Sequence, residues 1–451
     1  MTSAIQPYLD SFHDLIPGLP GAGLGWLDRL RHDGLARFAA TGFPSQRVEA
    51  WKYTSLRALE RSVFAPAGHA TPPAIDRLPT VAPDPRTAHR LVLVDGRFRP
   101  DLSSVPASVA GIASAGLADL LAGSPGDVPT TLAERHLGSV ATLETGLTAV
   151  NTAFVSDGLV IHVAAGVAVA QPIEVVFIAT GGAAASPTLH HPRLLLVAEP
   201  DSQVTLVEHH VGLGDGPYAT NTVVEIVVGD RAVVNHTKIQ REGQGAIHIA
   251  TTAARIGSEG RYDHFGLTLG AALSRNDIVP ILGAGASCRL AGAYLLRGRQ
   301  HADTTTAIEH SAPRATSRQV YKGVIDDTAH GVFQGRILVR PGAQKTDAYQ
   351  INRALLLSAG AEIDSKPELE IHADDVKCSH GATAGELDDD QLFYLRARGI
   401  DRDDARRLLI GAFVGEAIDE ISDATVAAAV RALADAWLTT PAAGSQKGMG
   451  S

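Results

Sequence analysis

The strongest constraint on this chain is the stretch from about Asn151 to Thr383, where short apolar strands follow one another at roughly ten-residue spacing without a long helical break. Leu159 to Val163, Ile173 to Ile178, Arg193 to Val197, Val204 to His209, Thr222 to Val228, Ala232 to Ile239 and Ala246 to Ala253 are separated by Gly, Asp or Pro. The series continues through Tyr262 to Leu269, Ala293 to Leu296, Gln319 to Ile325, Val332 to Val339 and Ala348 to Leu357. A sandwich, a barrel and a solenoid all produce such a pattern. The length favours the solenoid, a mainly β fold in which each coil buries its inward side chains on its neighbours. An open last coil would need a cap. The 45 glycines and the low aromatic content of 5% agree with many short, tightly turned elements.

Helical patterns flank the strands. In residues 1–64, Trp26, Leu27, Leu30, Leu35 and Phe38 recur at helical spacing, broken by Gly34, and Ser45 is placed to cap a second helix through Thr54. Trp51 and Tyr53 could bind a ligand, but anchoring this helix to the next region is the better reading. Residues 65–150, rich in Pro and Ala, read as a linker with one clear strand, Leu91 to Val94, ended by an Asp95-Gly96 turn. Residues 151–384 form the strand region and residues 385–438 a helical one. There Asp388 and Gln391 make a capping box, Gly399 stops the first helix and Asp401 caps the second. Ala405, Leu409, Ala412, Phe413, Ala417 and Ile421 would form the apolar stripe of that second helix, and a third runs from Ala424 to Leu438. Residues 439–451 read as a disordered tail. Phe393 and Tyr394, adjacent on the first of these helices, cannot share one narrow core contact, so one faces a partner.

Several function classes are disfavoured. Lys and Arg number 39 against 49 Asp and Glu, a net charge of -10 without long single-sign blocks, which argues against a nucleic-acid surface. The N-terminus lacks a basic segment followed by an apolar one, and the longest apolar run, Gly158 to Ala170, is too short to span a bilayer. Cys288 and Cys378 make no disulfide framework, which suits a reducing cytosol. Gly283-Ala284-Gly285-Ala286 fits turns better than a nucleotide loop, and no G-x-S-x-G, H-E-x-x-H or CxxC motif occurs. Asp326-Asp327 and Asp374-Asp375 would be the paired acids of a solenoid enzyme acting on polysaccharide, although adjacent strand residues point oppositely.

Cys378 and His380 share one strand face, a thiol and an imidazole suited to a soft metal, an iron–sulfur species or a persulfide. Lys377, Asp374, Asp375 and His372 lie close in sequence, yet the further ligands of a structural zinc site are missing. The pair is either a half-site completed by a second chain or a small buried thiol beside a hydrogen-bonded histidine, and the plain reading stands first. Some of the histidines at 209, 210, 236, 248, 264, 301, 310, 330, 372 and 380 could align into a ladder if coils stack, but most read as surface or ladder residues hydrogen-bonded to neighbouring backbone.

The chain resembles the SufB/SufD family of the SUF iron–sulfur cluster assembly system. GFPSQRVEAWKYT (Gly42 to Thr54), NTAFVSDGLVIHV (Asn151 to Val163), HPRLLLV (His191 to Val197) and SKPELEIHADDVKCSHGATAGELDDDQLFYLRARGI (Ser365 to Ile400) carry the likeness. SufB-type sequences have a scaffold cysteine before the last block and lack its Cys-Ser-His; Leu355 to Asp364 has no cysteine here, so the chain sides with the SufD branch. The resemblance implies a right-handed parallel β-helix between N- and C-terminal helical regions. It also implies a non-enzymatic scaffold that pairs with SufB, or with itself when alone, and docks the ATPase SufC. No tightly bound cofactor is expected, only a transient cluster shared with SufB. Carried over to this chain, His380 and Cys378 stand at the assembly interface as candidate metal ligands. Gln391, Leu392, Phe393, Tyr394, Arg398 and Phe413 belong to the SufC-docking region.

Overall fold

A computed structural model describes residues 5–61, 65–66, 78–84, 88–104, 111–123, 128–142, 145–181, 187–214 and 216–440. From Gly158 the chain winds into a parallel β-solenoid of about seven turns. Successive strands alternate between two sheets. The first runs from Gly158–Val163 through Arg193–Ala198, Tyr218–Val228, Ala246–Ile256, Leu273–Leu282, His301–His310 and His330–Val339 to Glu362–Ile371. The second runs from Ile173–Ala179 through Gln203–Gly212, Val233–Arg241, Arg261–Thr268, Ser287–Leu296, Thr316–Ile325 and Asp347–Leu356 to Lys377–Gly385. Alternate side chains point inward and stack in register, as Ile161, Leu196, Ile226 and Ala254 do in the first sheet. The expected first strand, Leu159 to Val163, is found as Gly158–Val163, while Asn151, where the strand region is expected to begin, still belongs to a helix.

One corner repeats in coil after coil. Asp201, Arg231, Glu259, Gly285, Arg314 and Lys345 all have positive φ, and each donates its N–H to a carbonyl of the following coil's corner. Only one of the six is glycine, so the turn is imposed by stacked coils and not by local preference. Three strands lie outside the expected series: Leu273–Leu282, His301–His310 and Glu362–Ile371. The first two direct Ser274, Asn276, Thr304 and Thr306 inward, so hydrophobic alternation is missing there. Pro280 also interrupts the ladder, as a residue without an N–H must.

Helices α1 (Gln6–Leu15), α2 (Gly25–Thr41), α3 (Arg57–Arg61), α4 (Leu117–Ala122), α5 (Val128–His136) and α6 (Gly146–Ala153) precede the coils. α2 runs straight through Gly34 and is not broken there. A Cβ at that position would lie 2.8 Å from Ala149 O and 2.9 Å from Ala153 N, so the glycine permits close packing of α2 on α6. The helix expected after Ser45 shrinks to one turn at Glu49–Trp51. Tertiary packing overrides local preference. Trp51 is buried with Phe38, Phe43 and Ile249, and the Arg275 guanidinium lies 3.8 Å from its ring centroid. This segment forms a strap along the first sheet. Thr54 bonds Asp303 and lies 2.9 Å from His301 Nε2; Gln334 donates to Ala50 O at 3.1 Å; Lys366 pairs with Glu49 at 2.5 Å.

The 65–150 stretch contributes more than its expected strand. His89–Val94 turns at Asp95-Gly96 into Arg97–Phe98 and pairs in parallel with Ile173–Ala179, while Ile112–Gly116 pairs with Gly158–Val163. A buried ion pair then fastens the helices to the coils. The Glu225 carboxylate accepts from Arg193 Nη2 at 2.7 Å and from the N–H groups of Gly138, Val140 and Ala141. Arg193 Nη1 also donates to Asn151 and Thr152 of α6.

After the coils come α7 (Asp389–Arg396), α8 (Arg402–Ile418) and α9 (Ala424–Thr439), with Asp388, Asp401 and Asp423 as N-caps. The buried stripe of α8 differs from expectation: Ala405, Ile410, Val414, Ala417 and Ile418 face inward, while Leu409 is half-buried and Ala412 exposed. α8 and α9 do not cap the last coil. They cover the outer face of the second sheet, where Phe265, Leu267, Leu295 and Val324 would otherwise meet water. Lys322 with Glu416 and Arg289 with Glu420 reinforce that contact. Residues 441–451, most of the expected tail, lie outside the described residues.

Candidate functional site

Because the terminal helices lie on the flank, the last coil stays open. Glu362–Ile371 and Lys377–Gly385 each pair on one side only, and among the described residues nothing pairs with their outer edges. Their side chains are mostly exposed or half-buried, in contrast to the buried strands behind them.

Cys378 and His380 sit on the last strand, opposite Ala348 and Gln350. Cys378 packs against the small apolar group of Ile337, Val339, Ala343, Ala348 and Ala373. Burial, and then the nearby Asp347 carboxylate, push its thiol above the ordinary range. It is therefore a protonated thiol at neutral pH. His380 is exposed and makes no side-chain hydrogen bond among the described residues. In register behind it lies an amide ladder: Gln319 Nε2 donates to Gln350 Oε1 at 3.0 Å, and Thr306 Oγ1 to Gln319 Oε1 at 2.7 Å.

No group of three or more His, Cys, Asp or Glu able to hold a metal occurs among the described residues. The sequence neighbours do not complete the pair. His372 bonds Glu370 at 3.0 Å, and Asp375 pairs with Lys345 in a turn. Asp326 and Asp327 likewise cap a turn, accepting from the N–H groups of Asp327 and Gly298. Both acid pairs sit at corners between strands instead of lining a strand face.

α7 begins four residues after the last strand and buries none of its residues. Both aromatics are exposed, Phe393 at 73% and Tyr394 at 56%, the latter with the Arg398 guanidinium 3.4 Å from its ring centroid. Gln391 and Arg398 are exposed and Leu392 half-buried. Phe413 turns toward the solenoid, its ring centroid 4.2 Å from Lys322 Nζ. Sequence reading missed two exposed apolar residues, Leu408 on α8 and Ile371 at the end of the first sheet's last strand. Ile371, between Glu370 and His372, carried a signal as an isolated apolar residue, whereas Leu408 opens the apolar run Leu408-Leu409-Ile410 and carried none.

The ladder histidines are mostly deep in the coils, and their main partners are carboxylates and not backbone. Glu208 accepts from His236 at 2.7 Å and from His210 at 2.9 Å, and His248 pairs with Glu242 at 2.6 Å. Burial opposes ionisation of Glu208, yet the two imidazoles hold it well below the usual carboxylate range. Cys288 is buried in the main core as a small apolar side chain.

Comparison with known proteins decides the family. Residues 177–413 match the model for the SUF system FeS cluster assembly SufBD core domain, and residues 2–175 match the SufBD protein N-terminal region. The chain belongs to the SufBD family. An iron–sulfur cluster assembly SufBD family protein of Synechocystis is 35% identical over 397 residues, covering 86% of each chain. The iron–sulfur cluster assembly protein SufD of Escherichia coli is 33% identical over 393 residues, 86% of this chain and 88% of that one. The chloroplastic protein ABCI7 of Arabidopsis thaliana is 30% identical over 421 residues, 91% and 86% respectively. This SufBD chain has no helix, among the described residues, long and apolar enough to cross a membrane.

Proposed function

We propose that this SufBD chain is a non-catalytic scaffold subunit of the SUF system. It pairs with a SufB-type subunit through its open last coil and docks a SufC-type ATPase through α7 and the exposed side of α8. The carrying observation is that coil: two one-sided strands, one holding His380 and Cys378, with no third ligand among the described residues. An incomplete ligand pair on an unpaired edge suits a site finished by a second chain.

The two residues have unequal roles in this reading. His380 is exposed, and a neutral imidazole can donate to iron of a nascent cluster, which is the cargo of the assembly and not a resident cofactor. Cys378 must lose a proton that its surroundings retain, so it follows His380 and does not lead. Docking rests on Phe393, Tyr394 and Leu408, since Phe413 is engaged with Lys322. Only residues 386–388 separate the last strand from α7, so displacement of α7 by the ATPase reaches the strand carrying His380. Pairing with a second copy when SufB is absent and a cytoplasmic location belong to the same reading.

The test is His380→Ala. Tm and complex formation should match the parent, because the side chain is exposed and unbonded. Cluster formation on anaerobic reconstitution with iron, sulfide and the SufB- and SufC-type partners should fall; an unchanged yield would remove the role.

A further inference from the structure

Inside the solenoid, the second sheet has one inward column in which Lys238, Gly266, Gly292 and Tyr321 follow one another in register. Two glycines between a lysine and a tyrosine leave out two side chains. The Tyr321 ring leans over Gly292, where a Cβ would come within 2.7 Å of it, but a Cβ on Gly266 would meet only His264 Cε1 at 3.5 Å. A cavity of about 20 Å³ remains there, and every side chain lining it is buried. That volume is enough for one water molecule, which needs roughly 10–15 Å³.

Among the residues lining the cavity are two with polar atoms that lack protein partners. Both ring nitrogens of His264 and the Tyr321 hydroxyl are buried and unbonded. Lys238 Nζ donates to Asn276 Oδ1 at 2.6 Å and has further N–H groups to give. Burial lowers this lysine to about 8, so an additional acceptor favours its charged form.

We infer that this cavity binds one water molecule, held by Lys238, His264 and Tyr321, as a built-in part of the solenoid. The guest must accept from the ammonium and the phenol and also exchange a hydrogen bond with an imidazole, which water does. A cation would face Lys238. An anion would join Glu208 and Glu242, which already outnumber the single lysine of this buried cluster. Tyr294, also at the cavity wall, donates to Asn352 Oδ1 at 3.0 Å, and Asn352 donates to Ser365 Oγ in the last coil. The water thus sits between the acid–imidazole cluster around Glu208 and the amide and hydroxyl contacts behind the open end. This inference is independent of any cluster-assembly role.

Gly266→Ala separates a wet cavity from a dry one. Its methyl fits without collision, so filling a dry void would raise the Tm. Expelling a bound water strands His264 and Lys238 instead, and the Tm should drop by roughly 2–6 °C. In crystals of the parent at high resolution we expect one water peak within hydrogen-bond distance of Lys238 Nζ and a His264 ring nitrogen, lost in the variant. A raised Tm, an absent peak, or an anomalous peak there after a bromide soak would each overturn the inference.

Discussion

Phe393 gives the sharpest test of ATPase docking. Truncation to alanine should leave the fold intact, because 73% of the residue is exposed and α7 buries none of its residues. An aromatic side chain can bury about 150–250 Å², so the free fraction offers a ceiling of about 3–4 kcal/mol at a partner surface. Real interfaces recover only part of that, and we expect a loss of about 2–3 kcal/mol, a roughly 30- to 150-fold rise in Kd. Tyr394→Ala should cost less, because Arg398 already covers one face of its ring. Titration calorimetry against a SufC-type ATPase reads both, with the Tm as a folding control. A Kd within twofold of the parent for Phe393→Ala would refute docking through this helix. Deleting α7 to α9 would be a poorer test, since it strips the cover from Phe265, Leu267, Leu295 and Val324.

Glu225→Ala should destabilise by about 3–5 kcal/mol, because it leaves Arg193 buried without its carboxylate and frees three backbone N–H groups; chemical denaturation checks this, and a change below about 1 kcal/mol would contradict it. Acid should weaken the fold from near neutrality. Burial lowers His210, His301 and His310 to about 4, so the unfolded chain takes up protons from about pH 6.5 downward that the folded chain refuses until near pH 4. Calorimetry should show the Tm falling between pH 7 and pH 4 with proton uptake on unfolding, and an equal Tm at pH 7 and pH 5 would count against it. Asp347→Asn should lower the Cys378 pKa and speed its alkylation by iodoacetamide at pH 7.5; an unaltered rate would mean that burial alone holds the proton.

Much of the fold was legible because coil stacking writes a simple pattern of short strands and polar corners. It failed where the interior is polar: Asn276, Thr304 and Thr306 face inward without hydrophobic alternation, so two full strands left no periodic mark. Position along the chain also misled, since α8 follows the last coil in sequence but packs against strands several coils earlier. At the site, the strand face shared by Cys378 and His380 could be read from spacing. What could not be read is that an apolar cluster and Asp347 suppress the thiol, because those contacts come from neighbouring strands. The exposure of both Phe393 and Tyr394 exceeds the single free aromatic that helical spacing predicts.

The strap at Glu49 to Thr54 carries a consequence for synthesis. Lys366, its farthest partner, is 317 residues away in sequence, and Asp303 is 249 residues from Thr54. A chain growing at about 5–20 residues per second therefore releases the strap roughly 15–60 s before the coils that receive it exist. Through that interval Trp51 has Phe38 and Phe43 beside it but lacks Ile249 and the Arg275 guanidinium that later cover it. The strap is thus made early and settles late, and its tryptophan stays only partly covered until the coils catch up.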